Sequence, residues 1–279
     1  MSAAAYDRPM KIAAVQMVSA PEWETNREAA ARWVAEAAAA GAGLVALPEY
    51  FCILGRRDTD KLALAEPPGD GPIQRFLSAA AQRHGLWLIG GTLPLKGADV
   101  AHGLNACCVF GPDGQRAARY DTMHLFAYDN GREHYDEGAV LQAGSEPVAL
   151  HAGPLRVGLS ICYDLRFPEL YRALSFAPGQ PPCDLISVPA AFTHTTGQAH
   201  WELLLRARAV ENQCYVIAAA QGGLHENGRR TWGHSMIVDP WGTVLGVQPE
   251  GEGVVLADFD PALIASVRAQ LPALAHRRM

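Results

Sequence analysis

The sequence predicts an α/β protein in which mixed β-sheets are covered by helices, and three observations carry that prediction. Short apolar runs with strand character alternate with longer stretches that have helix start and stop signals. Some neighbouring strands are joined by helices, as parallel pairing requires, and others by tight turns, as in antiparallel hairpins. No linker, repeat or low-complexity segment divides the 279 residues, so a single domain is the simplest organisation, with its core over about 10–260.

KIAAVQM (11–17) is the first strand. Thr25 is placed to cap a helix through NREAAARWVAEAAAA, which Gly41 stops. LVALP (44–48) reads as a buried strand. In GPIQRFLSAAAQRHG, Pro72 sits in the first turn and Gly85 at the end, the residues that start and stop helices. LWLIGGTLP and LNACCVFG follow as strands, and PDG at 112–114 turns the chain into QRAARYDTMHLF. LRVGLSI (155–161) is a strand, PELYRAL a helix and DLISVP another strand. A longer helix covers about QAHWELLLRARAVEN, and CYVIAAAQ returns as a strand. The tail, HSMIVDPWGTVLG and GVVLADF, reads as a hairpin on DPWG, and Pro261 opens a short final helix.

Composition narrows the function classes. With 49% hydrophobic and 19% charged residues the chain is built to bury a sizeable core. A net charge of −6 without a basic stripe argues against a nucleic-acid partner. The most apolar stretch, AAARWVAEAAAAGAGLVALP, is interrupted by Arg32, Glu36 and two glycines, which argues against a membrane span. The start, MSAAAYDRPMK, has no apolar run of a secretory signal, so a cytoplasmic location is expected. The six cysteines, at 52, 107, 108, 162, 183 and 214, form no CxxC, and they and the ten histidines show no zinc-ligand spacing. Reduced thiols and no metal are the expectation.

Three polar positions stand at or near the ends of strands, where open α/β sheets place their sites. Glu49 follows LVALP, Cys162 follows LRVGLSI, and Asp121 and Thr122 come late in the strand that runs towards His124. Glu49 is either a solvated strand end or a desolvated carboxyl whose raised pKa suits a general base. Cys162 is either a small buried hydrophobe or a nucleophile. As a nucleophile it needs a base and an N–H-rich place for an oxyanion, which a strand-to-helix turn before Pro168 offers.

Longer motifs decide between these readings. LPEYF, RYDTMHLF, DEGAVLQAG, ICYDLRFPEL, AFTHTTGQAHWELLLRARAVENQCYVIAAAQ and GHSMIVDPWG occur in this order along nearly the whole chain. In this the sequence resembles the nitrilase superfamily of carbon–nitrogen hydrolases, which use a Glu-Lys-Cys triad, and within it the amidases of deaminated glutathione. The resemblance implies an α-β-β-α sandwich of two mixed sheets, with Cys162 as nucleophile, Glu49 as base and Glu137 as a second, positioning glutamate. It further implies an oxyanion held by the lysine and by the Tyr163 backbone N–H, a homodimer, a small amide substrate and no cofactor. Phe192, Thr193 and Thr196 stand where they can line the pocket, although a strand-to-helix turn explains them nearly as well. His200 and Trp201 read as packing or capping residues, and Arg166 as an ion-pair partner in a structural network, with a direct ligand role as the close alternative.

One position departs from the family pattern. Thr122 stands where R-Y-D-K-x-H-L-F has its lysine, and the chain's lysines, Lys11, Lys61 and Lys96, all lie outside the motif. Arg119, three positions earlier on a strand, faces the other side. An impaired amidase is therefore the expectation, with an ω-amidase on dicarboxylate monoamides or a catalytically silent ligand-binding paralogue as alternatives. Tyr163 and Asp164 after the cysteine, in place of tryptophan and glutamate, weigh against a true nitrilase, and nothing resembles a papain-like nucleophile motif.

Overall fold

The structure is a computed structural model that describes residues 10–98 and 101–278. Its first half runs β1 (Met10–Gln16), α1 (Trp23–Ala39), β2 (Ala42–Ala46), α2 (Asp60–Ala63), α3 (Pro72–His84), β3 (Trp87–Ile89), β4 (Leu93–Lys96), β5 (Gly103–Phe110) and β6 (Arg116–Asp121). A small hairpin, β7 (Ala127–Asp129) and β8 (His134–Asp136), leads into the second half. There β9 (Ala149–Ala152), β10 (Leu155–Leu159), α4 (Pro168–Ser175), β11 (Leu185–Ser187), α5 (His194–Asn212) and β12 (Tyr215–Ala218) follow. The chain closes with β13 (Ser235–Val238), β14 (Val244–Gln248), β15 (Gly253–Phe259) and α6 (Pro261–Gln270).

Both sheets are mixed. In the first, β1, β2 and β3 are parallel, and β15 returns from the chain's end to pair antiparallel with β1. In the second, β10, β11 and β12 are parallel, with antiparallel β9 on one edge and the β13–β14 hairpin on the other. The period of two in β1 explains the layering. Ile12 and Ala14 face the second sheet, in the cluster that holds Val157, Leu185 and Ile217. Ala13 and Val15 face outward, under Ala30 and Val34 of α1 and Ile73 and Leu77 of α3. On the far side α4 and α5 cover β10 and β12. The result is the four-layer α-β-β-α sandwich. Cys107 and Cys108 fall in different clusters, as neighbours on a strand must.

Three boundaries differ from the sequence reading. Helix α1 begins at Trp23, so Thr25 lies inside it, and the Asn26 side chain ties its start to the Ala20 backbone. Helix α5 begins at His194 because the Thr193 side chain accepts from the Thr196 N–H and caps it. LWLIGGTLP is two strands, because Gly91 turns with φ 56°, where a Cβ would lie 2.1 Å from the Pro48 carbonyl oxygen. That bend matters for the site: Leu47 donates to the Ile89 carbonyl, and the Tyr50 N–H to the Thr92 hydroxyl, which locks the backbone on both sides of Glu49.

Candidate active site

Glu49, Cys162 and Ala191 lie just beyond the carboxyl ends of β2, β10 and β11, so the two sheets deliver them to one place. A cavity of about 280 Å³ there is lined by Glu49, Glu137, Cys162, Tyr163, Phe192, Thr193 and Thr196 from the sequence prediction, together with Phe126, Arg166, Ala191 and Arg229. Cys162 opens a short 3₁₀ turn, Cys162–Arg166, with φ 43°, a left-handed conformation that costs a non-glycine residue about 1–3 kcal/mol. Its N–H donates to the Pro189 carbonyl at 2.8 Å. The turn is held by Asp164, whose fully buried carboxylate accepts from the Ile161 N–H, the Tyr120 hydroxyl and the His124 backbone and ring.

Glu49 is 2% exposed. One carboxylate oxygen accepts from the Asn105 amide at 2.9 Å and the other from the Ala191 N–H at 2.7 Å, while the Cys162 thiol is within hydrogen-bonding reach. Burial first, and then the nearby Glu137 carboxylate, push its pKa from 4.5 up to about 7, against the opposing pull of Cys162, Arg229 and Asn105. The Cys162 thiol is pushed well up by burial and by the two carboxylates. Glu137 accepts from the Tyr50 hydroxyl at 2.7 Å and the Phe126 N–H at 2.8 Å, so it is fixed from two elements. A carboxylate that titrates near neutrality, in contact with a thiol, can accept its proton.

Thr122 is buried at 2% exposure but is not among the cavity-lining residues. Its N–H donates to the Asn105 carbonyl, and its hydroxyl reaches the His124 carbonyl only at 3.5 Å. Arg119 pairs with Asp121 on the strand before it. Arg166 corrects the sequence reading, for it makes no carboxylate ion pair among the described residues. It borders the cavity instead, 5.2 Å above the Phe192 ring, with His200 Nδ1 at 3.2 Å. Trp201 packs against Phe192 and donates to the His234 carbonyl. The Thr193 and Thr196 hydroxyls bond each other at 2.8 Å on the cavity wall.

Comparison with known proteins fits this geometry. The model of the carbon–nitrogen hydrolase family matches residues 11–269. The chain belongs to that family. A deaminated glutathione amidase of Synechocystis is 40% identical over 274 residues, covering 97% of this chain and 98% of its own. The crystal structure of a Saccharomyces cerevisiae member of branch 10 of the nitrilase superfamily superposes with a TM-score of 0.87 at 29% identity, over all of both chains. An amidase from Nesterenkonia, 26% identical, covers 95% of this chain and 99% of its own with a TM-score of 0.77, and its structure shows acrylamide added to the active-site cysteine. This carbon–nitrogen hydrolase is accordingly an amidase of the nitrilase superfamily.

Sequence reasoning missed Asn105, Ala191 and Arg229. Asn105 carried a signal, as the one amide within the apolar strand GLNACCVF. Ala191 acts through its backbone and carried none. Arg229, in HENGRRTW, looks like one more charge in a polar loop.

Proposed function

We propose that this amidase opens a small amide through a thioester on Cys162, and that its substrate is deaminated glutathione, split into 2-oxoglutarate and cysteinylglycine. The observation that carries the reading is the cavity in which the Cys162 thiol meets the buried Glu49 carboxylate at the first residue of a helical turn. The names of the relatives supply the substrate class.

The chemistry balances with these groups alone. Glu49 takes the thiol proton as sulfur bonds to the amide carbon and the carbonyl electron pair moves to oxygen. The Tyr163 N–H lies in the first turn, where N–H groups have no intrahelical acceptor, and it is placed to hold that oxyanion. Glu49 returns the proton to nitrogen, the carbon–nitrogen bond breaks and the amine leaves. Water then attacks the thioester, passing a proton to Glu49 and from there to the sulfur as the carbon–sulfur bond breaks. Glu137 holds no substrate in this scheme and positions the Phe126 and Tyr50 walls.

Thr122 slows the cycle. A lysine at this position would place a positive charge against the thiolate and the oxyanion, and a threonine hydroxyl is neutral and short. Loss of one oxyanion donor typically costs on the order of 10²–10³ in rate. Formation of 2-oxoglutarate from deaminated glutathione, followed for this chain and for Thr122→Lys, tests the reading. Rescue by at least about 10² is expected. Equal, fast turnover by both would show that position 122 carries no such role. Inertness of both towards deaminated glutathione and dicarboxylate monoamides would favour a ligand-binding protein that has kept the fold, a reading that Thr122 itself supports.

Two further features belong to the proposal. Leu203 and Val210, seven residues apart on one face of α5, are 68% and 48% exposed, and Trp241, the neighbour of the Gly242 whose carbonyl Arg206 of α5 holds, is 61% exposed. This apolar patch supports a homodimer. The six cysteines are all free thiols, and five of them are buried, which supports a reducing, cytoplasmic setting. No helix among the described residues is long and apolar enough to cross a membrane.

A further inference from the structure

Beside the catalytic cavity lies a second, larger and more polar hollow of about 700 Å³, whose lining includes Tyr50, Asp58, Lys61, Tyr135, Asn227 and Arg229. The two share a wall. Arg229 lines both, and the Tyr50 hydroxyl on one side is bonded to Glu137 on the other.

The hollow holds two cations, Lys61 and Arg229, with few close hydrogen-bond partners among the described residues. Two rim cations are committed, Arg56 to Glu22 and Glu226 and Arg57 to Asp60. Lys61 is different. Its side chain is only 12% exposed, yet among the described residues the close partners of its ammonium are the Tyr50 hydroxyl at 3.5 Å, the Tyr50 ring at 4.5 Å and the mostly exposed Asp58 at 4.0 Å, with the Glu137 carboxylate acting on it through space. Arg229 spends one N–H on the Ala191 carbonyl, and its buried Nε has no hydrogen-bond partner among the described residues. Its guanidinium lies 5.0 Å over the Tyr135 ring, which fixes the plane in which it can receive a ligand. A buried ammonium on long contacts and an orphaned guanidinium N–H both cost free energy until an anion arrives. Burial already pulls the Lys61 pKa down, and an adjoining anion opposes that pull.

We propose that this hollow is an anion subsite in which Lys61 and Arg229 bind the carboxylate at the far end of the substrate's leaving amine, here the glycine carboxylate. The inference rests on the amidase reading above. Arg229 lines both spaces, so an extended ligand with its scissile carbonyl at Cys162 can run past it into the second hollow. The adjoining hollow then receives its end.

Calorimetry on the full chain carrying Cys162→Ala, which cannot turn substrate over, separates the possibilities. Deaminated glutathione is compared with its C-terminal carboxamide, which has the same shape without the charge. The carboxylate form is expected to bind about tenfold more tightly, and Lys61→Met to abolish that preference while Lys61→Arg keeps it. Equal affinities of the two forms in the parent protein, which needs no Lys61 variant, would overturn the subsite. So would Lys61→Met weakening both forms alike, or a preference lost in Arg166→Gln and kept in Lys61→Met. A second pair, N-acetylcysteinylglycine and its carboxamide, lacks the 2-oxo acid half. If this pair shows the Lys61-dependent preference while deaminated glutathione is not hydrolysed by Thr122→Lys, the subsite stands and the substrate assignment falls.

Discussion

Replacing Glu49 with Gln should stabilise the protein at alkaline pH while abolishing its turnover. The carboxyl is pushed from 4.5 up to about 7 by burial and by Glu137. At 1.36 kcal/mol per pH unit, ionising it in the folded protein costs about 3 kcal/mol more than ionising it in the unfolded chain. The sign follows from where the proton sits. Between pH 4.5 and about 7 the unfolded chain has released this proton and the folded protein still holds it, so stability falls as pH rises. The cost is absent below that window and fully present above it. Glutamine fits the same space, and its hydrogen bonds can be kept. Its oxygen takes the Ala191 N–H, and its amide donates to Asn105 Oδ1, a buried atom without a hydrogen-bond partner among the described residues, once the Asn105 amide turns over. Glu49→Gln should therefore match the parent at pH 4 and exceed it by about 3 kcal/mol, or about 6 °C in Tm, at pH 8. Urea unfolding of both proteins from pH 4 to 9 measures the difference, and ammonia or amine release measures activity. A stability difference that does not grow across the window would show that Glu49 is not the desolvated group. Retained turnover would remove it from the chemistry.

Two other expectations concern reactivity and assembly. Iodoacetamide should alkylate Cys162 before Cys52, Cys107, Cys108, Cys183 or Cys214, since those five are buried, and Thr122→Lys should speed the reaction by favouring the thiolate. Mass spectrometry after limited labelling checks this, and first labelling elsewhere would count against Cys162 as nucleophile. Leu203→Glu should turn a dimer into a monomer in sedimentation without changing the circular dichroism, because it puts a charge in place of the most exposed large apolar side chain of α5. An unmodified chain that sediments as a monomer would refute the dimer.

Much of this fold could be read along the chain, because each strand that lies between layers is a short apolar run buried on both faces, bounded by polar or turn residues. The places where the reading slipped are those where distant backbone decides. LWLIGGTLP reads as one apolar run broken only by Thr92, and its bend at Gly91 is set by the approach of Pro48, more than forty residues earlier. The ends of α1 and α5 are set by Asn26 and Thr193 side chains folding back on the backbone. In the site, Glu49 and Cys162 were visible as polar residues closing apolar runs. Their contact was not, since it depends on two sheets stacking so that β2 and β10 end together. Arg166 and Arg229 were misjudged or missed for the same reason: only the packed structure distinguishes a guanidinium on a cavity wall from one in water.

The segment from Tyr120 to His124 shows why the fold tolerates Thr122. Tyr120 and His124 both bond to the buried Asp164, and Asp164 holds the turn that presents Cys162. The backbone of residue 122 supports Asn105, whose amide in turn holds Glu49. All of these contacts come from the neighbours of position 122 or from its main chain, and none requires a cation there. On the proposed reading, a lysine at position 122 would add only charge to a scaffold built by other residues. On the same reading, threonine there withholds electrostatic support from the thiolate and the oxyanion while leaving thiol, base and backbone donors in place. That asymmetry is why Thr122→Lys, with no compensating change elsewhere, is the decisive test of the proposed reading.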